Sequence, residues 1–188
     1  MESTKKRILF LCTGNSCRSQ MAEGWCRQLL SELYDCASAG IEKHGLNPLA
    51  VKVMAEAGVD ISFHYSKTTA ELGVQEFDFV ITVCGHADEN CPFFPAKTRV
   101  IHHGFDDPPK LAAGAVGEDK ALAPYRRVRD EIRDFISALP AEYPQNEPYA
   151  SKDLPTNNMD KIAFRFGLDL VAAIEQNRRR SRAALRIL

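Results

Sequence analysis

No apolar run in this 188-residue chain approaches the ~20 residues that a helix needs to cross a bilayer, so membrane insertion is not expected. The opening stretch MESTKKRILFLC has an apolar segment too short for a signal-peptide core, and no small-residue cleavage pattern follows it. A soluble, cytoplasmic protein is expected. Net charge is also lacking. Twenty-four Lys and Arg stand against 25 Asp and Glu, a balance of −1. Nothing general therefore draws the chain to nucleic acid or to an anionic membrane. Two C-x-x-C pairs are absent, which argues against a zinc ribbon. The five histidines lack metal-ligand spacing, so neither a metal centre nor a bound cofactor is expected. There is no internal repeat. The six cysteines come without a secretion signal, which argues against a structural disulfide framework. Cys17, Cys26 and Cys36 read as packing thiols.

What is present is concentrated in residues 7–19, RILFLCTGNSCRS. Residues 8–11 form a short apolar run of the kind found in buried strands. Cys12 follows at its end and Arg18 lies six residues on. Apolar positions at Met21, Trp25, Leu29, Leu30 and Leu33 then have helical spacing. A loop between a strand and a helix turns backbone N–H groups inward, toward the positive end of the helix. Thr13, Gly14, Asn15, Ser16, Cys17, Arg18 and Ser19 can thus surround a tetrahedral oxyanion. Arg18 adds a bidentate fork and a fixed charge. Cys12 is placed as a nucleophile whose pKa should fall toward ~3.5–7.5 in such surroundings, and Ser19 can hydrogen-bond its thiolate. Gly14 and Asn15 tolerate the left-handed backbone angles of a tight loop.

Strand and helix patterns alternate downstream. A short strand is expected over 35–41, a helix over 48–57 with Pro48 early and Gly58 at its end, and a short helix capped by Thr68 or Thr69. Residues 77–84 (FDFVITVC) read as a central strand, residues 99–105 contain another, and 124–139 read as an amphipathic helix. This is an α/β pattern with a parallel sheet. In such sheets ligands bind beyond the carboxyl ends of the strands, where Cys12, Cys84 and Asp107 all fall. Residues 140–156 read as a linker and 157–188 as a helical extension with a basic end, leaving residues 1–139 as the main domain.

Residues 12–24 (CTGNSCRSQMAEG), 38–62, 77–95, 102–109 (HHGFDDPP) and 126–132 (RRVRDEI) resemble, in order, the low-molecular-weight protein tyrosine phosphatase superfamily and, within it, the thioredoxin-coupled arsenate reductases. The resemblance covers about residues 5–139. It implies a three-layer fold with a four-stranded parallel sheet in the order 2-1-3-4, flanked by helices and extended here by a C-terminal helix. It also implies a sequence of events. Arsenate binds the loop, Cys12 attacks arsenic, and Asp107, the residue before proline, protonates the leaving oxygen. Cys84 then attacks Cys12 and releases arsenite. Cys91 attacks Cys84, and thioredoxin reduces the Cys84–Cys91 disulfide. Some relatives bind potassium through the positions of Asn15, Glu23 and Ser38 and an acid at the position of Lys67. A lysine there predicts that an ammonium replaces the ion.

A phosphatase acting on phosphotyrosine or small phosphate esters would need Cys12 but neither Cys84 nor Cys91, and residual phosphatase activity fits the same loop. A non-catalytic oxyanion sensor with a basic tail is the third reading. Contact of that tail with nucleic acid is not favoured.

Overall fold

The computed structural model describes residues 5–73, 76–85, 87 and 98–143. Strand β1 (Lys6–Cys12) is the centre of the core. Its residues from Ile8 to Cys12 are all buried, as a parallel strand covered on both faces requires. Burial of each large apolar side chain there contributes about 1.5–3 kcal/mol. Strand β2 (Tyr34–Gly40) pairs with one edge of β1, and β3 (Phe79–Thr82) pairs with the other. Strand β4 (Arg99–His102) lies outside β3. All pairings are parallel and the order is β2-β1-β3-β4, which is the order expected.

Helix α1 (Arg18–Leu30) begins three residues before the apolar periodicity does. Helix α2 (Pro48–Glu56) has the expected punctuation: Asn47 Oδ1 accepts from the amides of Leu49 and Ala50, Pro48 occupies the first turn, and Gly58 follows with φ 80°. The expected short helix is a single 3-10 turn at Ala70–Leu72. Thr68 supplies its polar contacts, accepting at Oγ1 from the Glu71 amide while its own amide donates to the Glu71 carboxylate. Helix α3 (Pro108–Leu111) is one turn, and α4 (Glu118–Glu142) is the long helix of the fold. Pro124 and Pro140 both lie inside α4. Pro124 is therefore not the start of the helix, and residues 140–142 continue it rather than opening a linker. Tyr125, Val128, Ile132, Phe135 and Ile136 carry its buried face, which overrides the local cost of proline. Trp25 Nε1 donates to the Arg129 carbonyl, and Arg129 Nη1 donates to the Val53 carbonyl, so α1 and α2 are both fastened to α4.

One cysteine expectation is corrected. Cys26 of α1 and Cys36 of β2 are joined in a disulfide, with Cα atoms 6.1 Å apart. Residue spacing alone did not disclose that α1 packs its Cys26 side directly on β2. Cys91, the expected linker beyond residue 143 and the extension over 157–188 lie outside the described residues. Among the described residues no helix is long and apolar enough to cross a membrane.

Candidate active site

The site grows from the end of β1. Residues 12–17 form a loop whose carbonyl groups are all occupied on its outer side. Ile41, Glu42, His44 and Asn47 donate their amides to the carbonyls of Cys12, Thr13, Gly14 and Ser16. Gln20 Nε2 donates to the Asn15 carbonyl, and the Met21 amide donates to that of Cys17. Ser66 Oγ adds a second donor to the Gly14 carbonyl at 2.8 Å. In a planar peptide the N–H points opposite the C=O. Tying the carbonyls outward therefore turns the amides inward. Cys17 caps α1 with no side-chain hydrogen bond, so the first-turn amides of that helix remain available to an anion.

Asn15 takes the left-handed turn at φ 44°, whereas Gly14 does not. Glycine at position 14 has a different cause: a Cβ there would come within 2.4 Å of the His44 ring. Gly40, at the end of β2, is more constrained. A Cβ would meet the carbonyl oxygens of Glu42 and Thr13 at 2.3 and 2.7 Å and the Asn15 nitrogen at 2.8 Å.

Asn15 is fully buried and its amide is fixed at both ends. Oδ1 accepts from Gln20 Nε2 at 2.9 Å and from the Lys67 amide at 2.9 Å. Nδ2 therefore donates to both Ser19 Oγ and Ser38 Oγ, at 3.0 and 2.9 Å. Ser38 in turn donates to Glu23 Oε2 at 2.6 Å. With a donor already on its oxygen, Ser19 directs its own hydrogen at Cys12 Sγ, 2.8 Å away. The Asn15 amide also reaches that sulfur, at 3.2 Å. Both contacts favour the thiolate. Burial nonetheless dominates and pushes the Cys12 pKa up, with Cys84 raising it further. The expected lowering is thus not found. Arg18 is engaged elsewhere. Its Nη1 donates to the Phe105 carbonyl at 3.0 Å and its Nη2 lies 3.3 Å from Asp107 Oδ1. Its charge is shared with that carboxylate rather than spent on the sulfur.

Asp107 stands just after β4, half-exposed beside Arg18. Asp106 turns away to Arg127 at 2.7 Å. Cys84 is a buried free thiol. Leu11 pairs with Thr82 across β1 and β3, so Cys12 and Cys84 leave the sheet at neighbouring strand ends. Thr13 Oγ1 contacts Cys84 Sγ at 3.4 Å. Cys17 is buried, and burial raises its pKa, in keeping with a packing role for its side chain. Lys67 places its ammonium 3.5 Å from Glu23 Oε2, with side chains only 11% and 4% exposed.

Gln20 and His64 escaped the reading of the sequence. Gln20 Nε2 joins Asn15 to the Tyr65 carbonyl, and Gln20 Oε1 accepts from His64 Nδ1 at 3.0 Å. The expected helix start at Met21 left Gln20 outside the helix. No local signal in the sequence marked Gln20, because its burial and contacts come from packing between distant segments.

A buried thiol at the end of a central parallel strand, beneath a loop whose carbonyls are tied outward and near an arginine–carboxylate pair, is an arrangement able to attack a tetrahedral oxyanion or its ester. The chain belongs to the low molecular weight phosphotyrosine protein phosphatase family, whose model matches residues 7–147. An arsenate reductase of Halalkalibacterium halodurans is 55% identical over 135 residues, spanning 72% of this chain and 95% of that protein. A solved arsenate reductase in the phosphate binding state is 28% identical with a TM-score of 0.59, covering 73% of this chain and 98% of that one. A low molecular weight protein tyrosine phosphatase from T. tengcongensis is 26% identical with a TM-score of 0.59, covering 73% and 99%.

Proposed function

We propose that the protein is an arsenate reductase in which Cys12, Cys84 and Cys91 act in turn and thioredoxin restores the thiols. Cys84 carries the reading. A phosphatase regenerates its nucleophile by hydrolysis and has no use for a second thiol, yet here one stands at the adjacent strand end, in contact with Thr13 of the loop. The similarity to arsenate reductases supports the same choice.

Arsenate enters the loop, held by the amides of residues 13–19 and by Arg18. Its charge offers the guanidinium a further partner beside Asp107 and the Phe105 carbonyl. Cys12 attacks arsenic and one oxygen leaves as water, protonated from Asp107. Cys84 then attacks the Cys12 sulfur. The electron pair of the S–As bond passes to arsenic, which leaves as arsenite, and a Cys12–Cys84 disulfide forms. Cys91 attacks Cys84, which frees Cys12 and leaves a Cys84–Cys91 disulfide for a thioredoxin dithiol to reduce. Bridging needs Cα atoms within ~7 Å, so the polar segment GHADEN must bring Cys91 to Cys84.

The test is NADPH consumption in the presence of thioredoxin and thioredoxin reductase. Arsenate should drive continuous turnover and phosphate should not. No arsenate-dependent turnover would overturn the reading.

A further inference from the structure

The Cys26–Cys36 pair has no part in that reaction, yet its position is not that of an isolated staple. Cys26 lies one helical turn beyond Glu23 on α1, and Cys36 lies two residues before Ser38 on the same face of β2. The Glu23–Ser38 hydrogen bond and the Cys26–Cys36 bond therefore cross the same helix–strand seam. Glu23 and Ser38 in turn hold Asn15, which orients Ser19 on Cys12. The two residues differ in access. Cys26 is fully buried, whereas Cys36 is 8% exposed and lines a cavity of about 580 Å³ at the β2 edge. Lys5, Arg7, Arg27 and Lys67 line that cavity against the carboxylates of Glu23 and Asp35. The cavity beside Cys36 thus has room for a small molecule and an excess of positive charge.

We propose that Cys26 and Cys36 are a second dithiol–disulfide couple, separate from the arsenate-reducing thiols, that exchanges with anionic low-molecular-weight disulfides through this cavity and fastens α1 to β2 beneath the nucleophile loop. In the closing direction the Cys36 thiolate attacks one sulfur of the small disulfide and expels one thiol. The Cys26 thiolate then attacks Cys36 and expels the other. The protein dithiol loses two electrons and two protons, and the small disulfide gains them as two thiols. Excess small thiol reverses both steps. This couple goes beyond the proposed reductase activity and does not depend on it.

The experiment uses the full chain carrying Cys12→Ser, Cys84→Ser and Cys91→Ser, reduced and then exposed to oxidised glutathione. A tryptic peptide linking residues 19–27 to residues 28–43 should accumulate and vanish with excess glutathione. The melting temperature should rise by several degrees on closure. Adding Cys36→Ser should abolish both effects. Cystamine, a cationic disulfide, should close the bond more slowly than oxidised glutathione. The same peptide map on the wild-type chain guards against misfolding of the variant. Cys26 and Cys36 remaining open to alkylation after oxidation would overturn the proposal. So would a stable glutathione adduct on Cys36, equal rates with cystamine, or closure without a change in melting temperature.

Discussion

Burial works against Cys12 as a nucleophile, and the loop is arranged to oppose that cost. Desolvation raises its pKa, while the Ser19 hydroxyl and the Asn15 amide favour the thiolate. Alkylation of Cys12 by iodoacetamide should therefore keep accelerating as pH rises beyond the ordinary thiol range. A plateau near neutral pH would contradict this. A folded pKa above the unfolded value contributes stability that is complete below the unfolded pKa and is lost as pH rises through the folded one. The second residue-scale expectation concerns Asp107, which faces Arg18 while Asp106 is engaged by Arg127. Asp107→Asn should lower arsenate turnover about 10²–10⁴-fold, the range for loss of a general acid. The same change at Asp106 should leave the chemical step intact. Equal losses at both positions would remove the distinction. The pairing of Asp107 with proline was visible in the sequence. Its contact with Arg18 was not, because the two are brought together by tertiary structure alone.

At the scale of elements, the loop holds its shape because residues 41–47 and Ser66 occupy its carbonyl groups. Gly40 allows that segment to pass so close. Gly40→Ala would drive a methyl into three backbone atoms, and backbone cannot swing aside as a side chain can. A loss of about 1–3 kcal/mol is expected, read as a lower melting temperature together with weaker phosphate binding; an unchanged melting temperature would contradict it. The Glu23 carboxylate is the other pivot. It receives Ser38, Arg27 and Lys67, so a fixed ammonium supplies the cation that the buried carboxylate needs. Exchanging sodium for potassium at constant ionic strength should change neither activity nor melting temperature; a clear rise in either would count against Lys67 in that role. Strand positions and the start of α2 were legible because apolar runs, Asn47, Pro48 and Gly58 are local signals. The start of α4 was not, because Pro124 imitates a helix start while buried tertiary contacts carry the helix through it. Nor was the Cys26–Cys36 pair, since no local pattern reports which helix face lies on which strand.

Across the whole molecule, the sheet order decides which chemistry is possible. Placing β3 beside β1 brings Cys84 to the end next to Cys12, and placing β4 beyond β3 delivers Asp107 to Arg18. The parallel α/β class was readable from alternating patterns, and the strand order from resemblance to a known fold. The outward-tied carbonyls and the Gln20–His64 contact came from neither, because they depend on packing between segments far apart in the chain. The central claim is that Cys84 completes a reduction that Cys12 begins. Its most direct test is a single turnover: pre-reduced protein, arsenate and no external reductant, with arsenite measured per chain. The wild type should release one equivalent, since one dithiol supplies two electrons, and Cys84→Ser should release none. Arsenite release undiminished by Cys84→Ser would contradict the account.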